Sequence, residues 1–199
     1  MPNWCSNRLT IEARSEKDAE ILISAFKLDD KDFSFDAIIP RPKELNIVEG
    51  SVTSMAKDYL SEASQASTPE QLKELQEKWR VKAETVNCDE LTGFDDDAKF
   101  GRGYEAFIKY AGVVADNISR FGHPTWYNWS VENWGTKWDA SSVKLTQKGK
   151  VLIFEFKTAW APPVPVFEYI AEHFADHIES MITKGIERGC GCYLNEQYI

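Results

Sequence analysis

The sequence of 199 residues lacks most of the features that assign a function directly. It holds only four cysteines and three histidines. No apolar run approaches the roughly 18 residues that a membrane-spanning helix needs. The first residues lack the basic start and the apolar middle of a signal peptide. We therefore expect a cytoplasmic protein with reduced thiols and no membrane segment.

The few cysteines and histidines also argue against a metal centre. Structural zinc sites usually take two pairs of ligands with wider spacing than the single Cys190–Gly191–Cys192 string offers. His173 and His177 fall on a predicted helix, in the string HFADH, which lacks the glutamate of an H-E-x-x-H site. We expect neither a metal nor a cofactor.

Positive charge is scarce as well. The chain has 23 lysines and arginines against 32 aspartates and glutamates, which gives a formal net charge of −9. Such a charge repels phosphate backbones, so direct binding of nucleic acid is not expected. The acids cluster at residues 29–36 and 89–97. These clusters fit solvated loops, an acidic surface for a basic partner, or a mimic of DNA.

Apolar residues, by contrast, recur with regular spacing along the chain. Period-two alternation predicts strands near residues 7–13, 33–39, 142–147, 150–158, 178–184 and 190–194. Helical spacing and capping residues predict the intervening helices, of which one begins at Ser15 and another at Thr68.

The order of these elements is βαβ, then helices, then ββαββ. It predicts an α+β fold in which an antiparallel sheet carries helices packed on one face. Residues 41–124 are interpreted as a helical insertion, which leaves residues 1–40 and 125–199 as one discontinuous domain.

Three motifs resemble a known family. They are PNWCSNRLTI at the start of the chain, NWGTKWDA in its middle and TAWAPPVPVFE in its C-terminal third. Together, and in this order, they are similar to the YubB-like family of phage and conjugative-plasmid proteins. The resemblance implies a ferredoxin-like domain and an accessory gene of a mobile genetic element. It implies no activity and no catalytic residue, and the insertion contains no matching motif.

The string WYNWSVENWGTKWDA, at residues 126–140, holds four of the seven tryptophans. Their spacing fits neither a strand nor a clean helical stripe, so it predicts an irregular loop. Because Gly135 allows a sharp turn, we expect Trp134 and Trp138 to be buried. Trp126 or Trp129 would then be the more exposed ring, nearer a ligand cleft. We also expect Trp4 and Trp160 to lie near one edge of the sheet and to be buried.

Candidate partner-binding residues lie in and near this string: Trp126, Tyr127, Trp129, Glu132, Asn133, Lys137, Asp139 and Trp160. Indole faces with interleaved polar groups suit a protein anchor. The leading interpretation is a non-enzymatic module that binds a host or element-encoded protein. One alternative is an enzyme that uses Glu132 and Asp139 in a tryptophan-lined cleft. Another is an acidic DNA mimic that inhibits a nucleic-acid-binding host protein.

The charge balance makes a first prediction. We expect no measurable binding to duplex DNA at physiological salt, because a net charge of −9 opposes the counterion release that drives such binding. Fluorescence anisotropy with a labelled duplex tests this. Micromolar or tighter affinity that weakens steeply as salt is added would show that a local basic patch outweighs the net charge.

Overall fold

A computed structural model describes residues 3–88, 100–186 and 193–199 of the chain. The chain forms two compact units, Met1–Arg41 with Trp129–Ile199, and Pro42–Asn128. The sequence placed the boundaries at 40/41 and 124/125. Cys190, Cys192 and the acidic cluster at 89–97 lie outside the described residues.

The described residues form the following elements along the chain. They are β1 (Trp4–Ala13), α1 (Glu16–Phe26), α2 (Phe35–Ile38), a 3₁₀ turn (Lys43–Leu45), α3 (Ser51–Gln65), α4 (Pro69–Lys82), α5 (Tyr104–Phe121), α6 (Trp126–Trp134), β2 (Ser141–Lys148), β3 (Val151–Ala159), α7 (Val164–His173), a 3₁₀ turn (Ala175–His177), β4 (Ile178–Ile186) and β5 (Tyr193–Gln197). The division between the units falls within α6. None of the helices in these ranges is long and apolar enough to cross a membrane.

The first unit is built on one antiparallel sheet. Its described strands run in the order β2-β3-β1-β4-β5, with β1 in the centre between β3 and β4. Along the chain, the elements of this unit include the series β1-α1-β2-β3-α7-β4, and in the sheet these strands lie in the order β2-β3-β1-β4. This is the ferredoxin-like βαββαβ arrangement, and β5 extends the sheet at one edge. The α+β fold expected from the sequence is confirmed.

The core of this unit lies between the sheet and its helices. Alternation along β1 buries Leu9 and Ile11. The ring of Phe26 on α1 lies 5.9 Å from that of Phe154 on β3, and Phe167 on α7 lies 6.4 Å from Phe156. Both helices therefore cover the same side of the sheet. Most of the described side chains on the opposite side of β1, β3 and β4 are partly or largely exposed, and we refer to this side as the open face.

The strand predicted over residues 33–39 is wrong, because this segment forms the helical turn α2. Ser34 caps the turn by accepting a hydrogen bond from the backbone N–H of Asp36 at 3.2 Å. The carboxylate of Asp139 accepts two more, from the N–H of Phe35 at 2.6 Å and from the Ser34 hydroxyl at 2.8 Å. The backbone N–H groups of Phe35 and Asp36, which a strand would offer to its neighbour, are satisfied by these bonds.

The predicted loop over the tryptophan string is also wrong, since its first nine residues form α6. Gly135 ends this helix with a φ of +73° and donates its N–H to the carbonyl of Val131 at 3.1 Å. The helix brings the rings of Trp129 and Trp134 to 5.6 Å from each other. A helix of nine residues is too short to show a stripe of several turns in the sequence.

The remaining strand predictions agree with the structure to within a few residues, and the strand expected from residue 190 begins at Tyr193 in the described chain. In the described part of the predicted insertion, the regular elements are helical, beside an isolated bridge between Asn87 and Arg102. Thr68 and Gln71 form the expected capping box, and Gly122 ends α5 in the left-handed conformation.

The second unit has a core of its own around stacked aromatic rings. Trp79 on α4 and Phe107 on α5 stack with ring centroids 5.5 Å apart. Tyr110 is buried beside Thr53, with 2.7 Å between the two hydroxyl oxygens. Burial raises the pKa of Tyr110 to about 12.

A pair of glycine substitutions tests the turn that ends α6. A Cβ added to Gly135 would lie 2.7 Å from Cδ of Pro165, on a backbone whose φ is already positive. We expect Gly135→Ala to lower the free energy of unfolding by about 1–3 kcal/mol. In α5, Gly112 has nothing within 4 Å of an added Cβ. Gly112→Ala should therefore raise stability, by about 1 kcal/mol or less. Urea unfolding measures both, and equal effects would contradict the tight turn.

Candidate functional site

The site residues predicted from the sequence are divided between the two units. Trp126 and Tyr127 belong to the second unit and are partly exposed, with ring centroids 5.7 Å apart. Trp129 belongs to the first unit and is only 8% exposed. Asn133 donates its side-chain amide back to the carbonyl of Trp129 within α6. This amide therefore serves the helix itself.

The two carboxylates proposed for catalysis have different surroundings. Glu132 is exposed on α6. Asp139 is partly buried and accepts hydrogen bonds from four donors, each 2.6–2.8 Å away: Lys31 Nζ, Ser34 Oγ, and the backbone N–H groups of Phe35 and Ala140. A carboxylate held in this way is an internal tie of the first unit rather than an acid or base for a substrate.

The histidine contacts do not form a nucleophilic triad either. His177 lies beyond the end of α7, and its Nδ1 is 2.8 Å from Oδ1 of Asp18. The Ser15 hydroxyl donates to the other carboxylate oxygen, Oδ2, at 2.5 Å. These two contacts lower the pKa of Asp18. Because the carboxylate stands between the hydroxyl and the imidazole, the imidazole does not take the position of a general base for Ser15. Among the described residues, no group of three or more metal-ligating side chains is found.

Three exposed indoles gather at one end of the sheet instead. The Trp4 and Trp138 rings lie 6.2 Å apart, and the ammonium of Lys137 is 4.4 Å from the Trp138 centroid and 5.6 Å from that of Trp160. The indoles are 43%, 39% and 40% exposed for Trp4, Trp138 and Trp160. We call these four residues the tryptophan cluster.

Strand pairing explains why the cluster forms. Trp4 begins β1 opposite Ala159 at the end of β3, and Trp160 follows directly. The backbone N–H of Trp160 donates to the carbonyl of Asn3 at 2.9 Å. Lys137 and Trp138 enter from the segment between α6 and β2, which Asp139 ties to the first unit.

Trp160 has an unusual backbone conformation for a bulky residue, with a φ of +72°. Hydrogen bonds hold the chain on both sides of it. Thr136 donates to the carbonyl of Ala159 at 2.8 Å, and Thr158 donates to that of Ala161 at 2.7 Å. Strain of this kind costs about 1–3 kcal/mol and persists only where the surroundings fix it. The surroundings thus fix the chain at Trp160 in one conformation.

The expected burial is therefore confirmed for Trp134, which is 1% exposed, and wrong for Trp138, Trp4 and Trp160. The alternation of β1 indicates the exposure of Trp4. If Leu9 and Ile11 face inward, continuing the period back along the strand turns Cys5 inward and Trp4 outward. The structure shows this alternation, with Cys5 fully buried.

The open face of the sheet adjoins Trp4. Its outward side chains lie in cross-strand rows, and we call three of these rows the open sheet face; the row beyond them, Lys148–Val151–Glu12–Ser180, is not included. The rows are Lys144–Glu155–Arg8–Lys184–Asn195, then Lys157–Ser6–Ile186–Tyr193, then Thr146–Ile153–Thr10–Ile182–Gln197. Two shallow depressions of about 270 and 350 Å³ lie on this face, and Arg8 and Lys184 line both.

No protein-family model matches the sequence, and no curated protein matches it. The crystal structure of a protein api92 from Yersinia pseudotuberculosis, with the family designation DUF1281, is similar in fold. The similarity covers 100% of this chain and 94% of that one, with 12% identical residues and a TM-score of 0.49. A likeness of this strength carries no information about activity or partners.

Two tryptophan substitutions separate core from surface. We expect Trp134→Ala to lower the free energy of unfolding by roughly 3–5 kcal/mol, because the ring is fully buried and its Nε1–H bonds the carbonyl of Ile39 at 3.0 Å. Trp138→Ala should cost less, about 1–2 kcal/mol, because the ring is partly in water. Denaturant unfolding of both variants measures this difference. An equal loss would place Trp138 in the core.

Proposed function

We propose that the chain is a non-enzymatic protein-interaction module whose anchor is the tryptophan cluster. The observation that carries this proposal is the gathering of three indoles, each about two-fifths exposed, around one lysine. Exposed apolar patches mark interaction sites, and tryptophan is among the residues that contribute most to binding energy at interfaces.

The surroundings of the cluster support a binding role. Trp4 is held by the central strand, while Trp160 is fixed by the hydrogen bonds around its strained backbone. Anchors that are rigid before binding lose little conformational entropy when they bind. Lys137 lies over the indole faces of Trp138 and Trp160, where a cation–π contact orders them further.

Catalysis has less support than binding. Of the two carboxylates considered for an enzyme, Asp139 is occupied by four donors within the first unit. The DNA-mimic alternative rests on the net charge of −9 and on acidic residues of which one cluster lies outside the described residues. We therefore favour a protein partner, and we propose a cytoplasmic role for a mobile genetic element, as the resemblance to the YubB-like family implies.

The affinity of a captured partner for the wild-type chain and for its variants tests the proposal. A tagged form of the whole chain is used to isolate partners from the bacterium that carries its gene, and the captured protein is purified and titrated. We expect Trp138→Ala and Trp160→Ala each to weaken the Kd by about tenfold or more, as loss of an interface hot spot does.

The matched control is Val131→Ala, because Val131 is also exposed, at 40%, and lies in the same unit outside the cluster. It should leave the Kd unchanged. Capture of every partner with equal affinity by the two tryptophan variants and by wild type would contradict the proposal. Circular dichroism and a cooperative unfolding transition establish that each variant is folded under the conditions of the titration.

A further inference from the structure

We propose that the open sheet face binds an acidic, amphipathic segment of the protein partner, that is, a stretch in which carboxylates alternate with apolar side chains. This inference rests on the proposed function, since it assigns a chemistry to the partner that the tryptophan cluster anchors. It concerns a different surface of the same unit and is tested separately.

The charge of the open sheet face is opposite to that of the whole chain. Its three rows hold four cations, Arg8, Lys144, Lys157 and Lys184, and one acid, Glu155. The rows thus carry +3 on a chain whose net charge is −9. At physiological salt, charges beyond about 8 Å are largely screened, so a docked segment is governed mainly by the charges it contacts.

The cations of this face have few internal partners. Arg8 lies 3.9 Å from Glu155, and both side chains are about half exposed, so this pair contributes little to stability. The ion pairs found within the described residues include none that involves Lys157 or Lys184. Carboxylates of a partner can therefore pair with these cations without breaking a strong internal ion pair.

Apolar side chains alternate with the cations. Along β4 the outward positions are Ile182, Lys184 and Ile186, with the two isoleucines 39% and 47% exposed. On the edge strand β5, Tyr193 is 67% exposed beside Ile186. One depression lies against Ile182 and the other against Ile186, and Arg8 and Lys184 line both. A complementary ligand places apolar groups in the depressions and an acid between them.

The same features favour a protein segment over single-stranded nucleic acid. Sheet surfaces that bind single strands stack bases on aromatic rings. The exposed apolar side chains in the two depressions here are the aliphatic Ile182 and Ile186, since Phe156, which also lines one depression, is only 3% exposed. The exposed ring of Tyr193 lies on the edge strand β5. Glu155 also interrupts the cations between Lys144 and Arg8 in its row. A phosphate backbone carries a charge at every nucleotide and would meet this carboxylate, whereas an acidic peptide can place an apolar residue there.

The open sheet face is continuous with the tryptophan cluster. Trp4 lies two residues before Ser6 on β1, on the same outward side of the strand, which is a separation of about 7 Å. A segment that binds over Arg8 and Lys184 therefore reaches Trp4 after a few residues. One partner chain can occupy both surfaces.

Fluorescence anisotropy with synthetic peptides tests the inference on the full chain. The probe is a labelled peptide of alternating aspartate and leucine, and a peptide with lysine in place of aspartate is the charge control. We expect the acidic peptide to bind and the basic one not to bind. Binding should weaken at least about fivefold when salt is raised severalfold, because the contacts are electrostatic. Equal binding of the two peptides, or no binding of the acidic one, would overturn the inference.

Charge reversal locates the site. Arg8→Glu combined with Lys184→Glu should weaken acidic-peptide binding by about tenfold or more. The matched control combines Lys57→Glu with Lys73→Glu, two exposed lysines of the second unit that change the net charge equally. It should weaken binding no more than about twofold, through net charge alone. An equal loss of peptide affinity in the two double variants would contradict the assignment of the site to Arg8 and Lys184.

Two further outcomes separate this inference from the proposed function. Tighter binding of a labelled single-stranded oligonucleotide than of the acidic peptide would assign the open sheet face to nucleic acid and overturn the inference. If partner capture is weakened by Trp138→Ala but not by the Arg8→Glu, Lys184→Glu variant, the inference fails while the proposed function stands. If neither variant weakens capture, the proposed function fails as well.

Discussion

The carboxylate of Asp139 is the interaction on which the arrangement of the first unit depends. It joins the chain that enters β2 to residues more than 100 positions earlier, through Lys31, Ser34 and the backbone of Phe35. These bonds end any strand pairing at residues 33–39 and create the turn α2. They also fix the position of Lys137 and Trp138 immediately before the carboxylate. One partly buried carboxylate therefore stabilises the turn α2 and holds the segment that carries two residues of the tryptophan cluster.

Local patterns were sufficient to predict the elements whose partners are close in sequence. The helix starts at Ser15 and Thr68 were predicted because each cap is a contact between near neighbours. The alternation of β1 and β3 revealed the sheet for the same reason. The turn α2 could not be predicted, because the acceptor that stabilises it, Asp139, is distant in sequence. The helix α6 was missed because nine residues are too few to establish a helical period.

The residues proposed for the site from the sequence have different surroundings. Lys137 and Trp160 belong to the tryptophan cluster, whereas Trp126 and Tyr127 belong to the second unit and Trp129 is buried in the first. The exposure of Trp138 depends on where Asp139 ties the chain, which no spacing reveals. The open sheet face was hidden by the net charge, because an average over 199 residues conceals a local excess of four cations over one acid.

Antiparallel pairing with β1 in the centre unites these surfaces. Successive side chains of a strand face opposite ways. Because β1 turns Leu9 and Ile11 toward the helices, it places Trp4 and Arg8 on the other side of the sheet. The helices α1 and α7 both pack on the side that Leu9 and Ile11 face, where their phenylalanine rings contact those of β3. The outer side is thus free to differ in chemistry from the rest of an acidic chain. A surface with exposed isoleucines and lysines, beside exposed indoles, contributes nothing to the core of this unit, and in the proposal above its apolar groups leave water when a partner of matching chemistry binds.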